Sequence, residues 1–136
     1  MKIKLALVAG VVLGIAIGIV SDRLVSAQGN DQTGTLLTVD LAGTPGKEAR
    51  VWIRDIAPGE RTPTHYHPGD VIGYVLQGAV LHTVQGKSPV TYSAGQAFSE
   101  HETDIHFGTN QSPTTPVKLL TIQITDKGTL ETVNVK

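Results

Sequence analysis

From residue 36 onward the chain is a series of short apolar runs, each closed by a turn signal, and none of them sustains a helical period. The runs are LLTVDL (36–41), EARVWIRDI (48–56), DVIGYVL (70–76), AVLHTV (79–84), PVTYS (89–93), IHFGT (105–109), VKLLTIQIT (117–125) and LETVNV (130–135). Between them stand Gly-, Pro- and Asn-containing breaks such as AGTPGK, QGKS and NQSPTTP, which supply the backbone angles that turns require. Many short β-branched segments at this spacing predict an all-β fold, an antiparallel sandwich or barrel. In residues 48–55, Ala49, Val51 and Ile53 share one face of an extended chain, while Glu48, Arg50, Trp52 and Arg54 share the other. The aliphatic face is the one expected to be buried.

The N-terminus is a different material. Lys2 and Lys4 precede a run from Leu5 to Val20 made only of Leu, Ala, Val, Gly and Ile, and SDRLVSAQ follows. A positive start, an apolar middle and small or aliphatic residues at Val25 and Ala27 read as a signal peptide over 1–27, cleaved before Gln28. The alternative is an uncleaved membrane anchor; the run falls short of the ~20 residues a spanning helix needs unless Ile3 and Leu24–Ala27 extend it. Both readings place the rest of the chain outside the cytoplasm, secreted or periplasmic. Residues 28–34 read as a flexible lead, and 35–136 as one barrel domain.

Composition narrows the chemistry. The whole chain carries a formal net charge of -1, and without residues 1–27 it holds 8 Lys+Arg against 11 Asp+Glu, net -3. No basic cluster interrupts this mildly acidic balance, which argues against nucleic acid as a partner. With no Cys, thiolate nucleophiles, disulfides and Cys-ligated metals are excluded together. No organic-cofactor motif is present. Any reactive centre must come from His, carboxylates or hydroxyls.

Two of the five His stand in THYHPGD, at 65 and 67, where an extended backbone projects both to one side. His106, in IHFGTN, is the best third donor. Three neutral imidazoles converging on one point suit a divalent first-row metal with positions left open. Taken alone, the His-x-His pair is equally readable as two surface imidazoles on a turn beside Pro68.

The wider pattern resembles the cupin superfamily. GERTPTHYHPGDVIGYVLQG (59–78) is similar to its first motif, with Gly59, His65, His67 and Gly78 at the matching positions. SAGQAF followed by HFGTN is similar to the second, with Gly95, His106 and Asn110 in place and Ser93 where the family has Pro. The resemblance covers about residues 35–127. It implies a double-stranded β-helix, or jelly roll, whose interior holds a metal on His65, His67 and His106. The family's Glu, four residues after the second His, falls on Val71. An apolar residue cannot ligate, so the shell either stays open or recruits Glu100, Asp70 or His101, each of which otherwise reads as an exposed loop residue. His82 reads as a strand residue facing solvent or making a core hydrogen bond, and as a lesser candidate for the pocket lining. Ile72, Tyr74, Val75, Phe98, Phe107, Leu119 and Ile122 are expected in the core or pocket wall.

The resemblance implies two functional classes. One is a metal-dependent enzyme acting on a small organic molecule, an oxidoreductase of dioxygenase type or an isomerase; the other is a non-catalytic extracytoplasmic cupin that binds a metal or small ligand. No residue is assigned a catalytic role, and Fe, Mn, Ni, Zn and Cu all suit imidazole donors. A homodimer is also implied. Trp52, flanked by Arg50 and Arg54, reads either as an interface anchor or as a cap on the end of the sandwich.

Overall fold

A computed structural model describes residues 34–136. The proposed signal segment, its cleavage site and nearly all of the lead lie outside the described residues. Regular structure in 34–136 is entirely strand: β1 (Gly34–Asp40), β2 (Lys47–Ile56), β3 (His65–Tyr66), β4 (Asp70–Gln77), β5 (Ala79–Val84), β6 (Val90–Ser93), β7 (Ala97–Glu100), β8 (His106–Thr109), β9 (Val117–Asp126) and β10 (Val133–Asn134). These form two five-stranded sheets, ordered β1-β2-β9-β4-β7 and β10-β3-β8-β5-β6, with every pairing antiparallel. From β2 onward successive strands pass from one sheet to the other, except at the β5–β6 hairpin, as in a double-stranded β-helix.

The passage from β4 to β5 is made by Gly78 alone. Its φ is +75°, and a Cβ there would sit 2.6 Å from the carbonyl oxygen of Pro116. Only glycine fits both the left-handed backbone and the close approach.

The alternation in β2 is buried in the opposite sense to the one expected. Glu48, Trp52 and Ile56 are the buried residues, while Ala49, Val51 and Ile53 face outward and are half-buried. The polar members of the inner face are satisfied there: Arg50 Nε donates to Glu48 Oε1 at 2.7 Å, so the charges enter as a pair. Glu48 and Arg50 share one face of this strand, but hydropathy alone does not reveal that the paired charges are the buried side. In β4 the inner residues are Val71 and Val75, with Ile72 and Tyr74 exposed on the outside, against expectation for the latter two.

The apolar core comprises Ile56, Val75, Val80, Val117 and Leu119, with Tyr92 and Phe98 packed against it. Asn110 seals one end of the barrel. Its Nδ2 donates to the carbonyls of Ile56 at 3.0 Å and Thr115 at 2.9 Å, and its Oδ1 accepts from Ser112 N at 3.0 Å. Its role is structural, holding the 110–116 loop to the end of β2.

Candidate metal centre

The region between the sheets not filled by this core is a cavity of about 290 Å³. Its apolar walls include Trp52, Val71, Val80, Phe98 and Leu119, and His65, His67, His82, Glu100 and His106 all line it. The second sheet and its border supply the imidazoles: His65 on β3, His67 just after it, His82 on β5 and His106 on β8. Glu100, the final residue of β7, reaches in from the first sheet.

His65 and His106 are direct partners in the β3–β8 ladder, and their rings lie 4.3 Å apart. His67 lies 5.0 Å from His65 and 5.3 Å from His106, ring centre to ring centre. Each of the three has its Nδ1 against a backbone carbonyl: His65 to Pro63 at 2.7 Å, His67 to Glu131 at 2.6 Å, His106 to Asp104 at 2.8 Å. A carbonyl only accepts, so each Nδ1 carries the proton and donates. Each neutral ring then presents the lone pair of Nε2. Outer partners of this kind fix the tautomer and ring direction of metal-binding His.

The Glu100 carboxylate stands against these lone pairs. Oε1 lies 3.1 Å from His106 Nε2, and Oε2 lies 3.6 Å from His67 Nε2. Lone pair facing carboxylate oxygen is repulsive unless a cation lies between them. Protonating the imidazoles is one answer, but burial opposes it: it pushes His65 down to about 4 and lowers His106 despite the nearby Glu100. Burial would raise the Glu100 carboxyl, yet the hydrogen bond from His82 holds it below the usual range. The donor set therefore fits a divalent metal. Donor atoms of His65, His67 and His106 lie within 4.8 Å of one another, as do those of His82, Glu100 and His106.

Of the residues singled out in the sequence, the structure gathers His65, His67, His106 and Glu100. Glu100 ends strand β7 rather than lying on an exposed loop, and it is the buried residue of that strand, 5% exposed. Asp70 and His101 are not in the cluster: they face solvent and meet each other at 3.2 Å. The exposed end of β4 and the turn after β7 carry them outward. Of the two places expected for His82 the structure shows the core hydrogen bond: it is buried, it lines the cavity, and its Nε2 donates to Glu100 Oε1 at 2.8 Å. Its place in the alternation of β5, level with the buried Val80 and Val84, was the available signal. Trp52 is 5% exposed and lines the cavity, which removes it as an interface anchor. Arg54, half-exposed and 3.2 Å from Glu60, is the only Lys or Arg among the lining residues.

The sequence matches the family model described as "Cupin domain" over residues 52–123. No curated protein matches it. Among solved structures, a cupin-like protein from Thermotoga maritima is similar at a TM-score of 0.57 and 20% identity, covering 75% of this chain and 73% of that one. A double-stranded β-helix protein from Klebsiella pneumoniae is similar at 0.56 and 17%, covering 79% and 87%. The DMSP lyase DddQ from Ruegeria pomeroyi is similar at 0.56 and 19%, covering 77% of this chain and 52% of that one. At these identities the structures speak for the fold. Together with a family match over more than half of the chain and two antiparallel sheets enclosing a His- and Glu-lined cavity, they establish that this chain belongs to the cupin domain family.

Proposed function

We propose that this protein is an exported cupin that holds a divalent transition metal on His65, His67, His106 and Glu100 and acts on a small organic molecule as a metal-dependent oxidoreductase of dioxygenase type. The observation that carries the metal is the Glu100 carboxylate set against Nε2 lone pairs whose rings are already locked by their Nδ1 bonds. A bound divalent metal supplies a Lewis-acidic centre with positions open to the cavity. The chain's part is to shape what reaches it. A cavity of about 290 Å³ is at the small end for ligand sites, and its largely apolar walls favour a compact organic substrate. Arg54 offers an anionic group a partner at the same cavity. His82 holds Glu100 by one oxygen and leaves the other to face His67.

The reading includes export through residues 1–27, and a second copy as partner. Support for the dimer is the outward face of the first sheet, where Leu37, Val39, Ile72, Tyr74 and Ile124 stand exposed together. The catalytic part is tested by oxygen uptake of metal-loaded protein across catechols, thiols and diketones. Uptake with at least one class that is lost in His106→Ala supports it. A metal-loaded protein silent across the panel favours the non-catalytic alternative, a cupin that binds metal or small ligand outside the cytoplasm.

A further inference from the structure

Two of the three locked imidazoles are locked by their own neighbourhood. Pro63 lies two residues before His65, and Asp104 two before His106, so each acceptor sits on the chain leading directly into the strand that carries the ring. His67 is different. Its acceptor is the carbonyl of Glu131, sixty-four residues along the chain.

The segment that brings this carbonyl leaves β9 through a turn in which Thr129 Oγ1 donates to the Asp126 carbonyl at 2.9 Å. It then crosses beside the cavity, which Glu131, Thr132 and Asn134 help to line. β10 pairs with β3 through Val133–Tyr66 and Asn134–His65, and Val135 N donates to the Thr64 carbonyl at 2.9 Å. Thr132 Oγ1 lies 3.3 Å from the same His67 Nδ1. The fully buried Gln123 amide reaches the Glu131 carbonyl at 3.5 Å.

We infer that residues 129–136 are a positioning element of the metal centre: the Glu131 carbonyl, aided by the Thr132 hydroxyl, fixes His67 as the Nδ1–H tautomer and aims its Nε2 at the cluster. This rests on the metal reading above. Loss of such an outer partner typically lowers metal affinity ~10–100-fold. Linkage is reciprocal, so metal binding strengthens the docking of the segment by the same factor.

The test compares the full chain with one ending at Gly128, and with Thr132→Val and Thr132→Ser. Imidazole nitrogen NMR without metal reads the His67 tautomer directly and does not depend on whether metal binds. The full chain is expected to show Nδ1–H at His67, and the shortened chain the Nε2–H form that dominates free histidine, with His65 and His106 unchanged. Zinc affinity is expected to fall ~10–100-fold in the shortened chain. Thr132→Val should weaken zinc several-fold and Thr132→Ser restore it, which decides the matter if the shortened chain does not fold. The same His67 tautomer with and without the segment, or a Thr132→Val protein with unaltered tautomer and zinc affinity, overturns the inference. If no variant binds zinc, the metal reading fails and the tautomer comparison still decides this one.

Discussion

Glu100 stands directly across from Val71 in the β4–β7 ladder, and both side chains face the same cavity. The position where the family carries its carboxylate is thus apolar here, and the carboxylate enters one strand over. Cross-strand partners project to the same side of a sheet, so moving the Glu between them keeps it in the interior. Glu100→Gln keeps the shape and removes the charge; metal affinity is expected to fall at least ~10–100-fold, read by competition with a chelator. The exchange Val71→Glu with Glu100→Val should recover most of that loss. A Glu100→Gln protein with full affinity would show that the carboxylate does not ligate.

Acid should weaken the metal-free fold through His65 and His106. Burial lowers both folded-state values, His65 from 6.5 to about 4. Between those values the unfolded chain binds protons that the folded chain refuses, so stability falls as pH drops from about 6.5 towards 4. Glu100, lowered in the folded state, adds loss in the same direction below about its ordinary 4.5. Thermal melts of metal-free protein should decline across this window, and His65→Gln should flatten the decline. A flat profile in the unmutated chain contradicts it.

Gly73 gives Phe98 its place in the cavity wall. The two are ladder partners, and a Cβ on Gly73 would collide with the Phe98 ring, which lies 4.8 Å from the His82 ring. Gly73→Ala should therefore overpack the interior, costing ~1–3 kcal/mol in urea unfolding. The displaced ring should also alter the His82 resonances. Unchanged stability and spectra would mean that the wall yields freely.

Asn110 is expected to matter for folding and not for metal. Asn110→Ala strips one buried and two part-buried backbone groups of their partner, a loss of ~1–3 kcal/mol in urea unfolding. Metal affinity of the folded fraction should be unaltered.

Asp70 and His101 provide the surface comparison. Both are about 70% exposed, and exposed ion pairs contribute ~0–1 kcal/mol. Asp70→Asn and His101→Gln should leave metal affinity unchanged. A clear loss in either would place the centre elsewhere.

Most of the fold is legible because turn chemistry and strand-length runs are local signals: eight of the ten strands, all but β3 and β7, fall on the runs read from the sequence. β3 and β7 lie outside them. One is two residues between turns, and the other, AFSE, ends in a Glu whose charge reads as loop until its buried His partners are known. His65, His67 and His106 are legible from spacing and resemblance. The Glu100 partner of His82 and the Glu131 carbonyl are not, because each comes from a distant part of the chain, and the inward face of β2 is not, because the burial of its Glu48–Arg50 pair depends on the sheets that close over it.

The central claim is that His65, His67, His106 and Glu100 hold one divalent metal. Its most direct test is elemental analysis of protein purified without chelator and incubated with iron, manganese, nickel or zinc, beside His65→Ala, His67→Ala and His106→Ala. The account predicts one ion per chain in the unmutated protein and its loss in each variant. No stoichiometric metal with any of the four would contradict it.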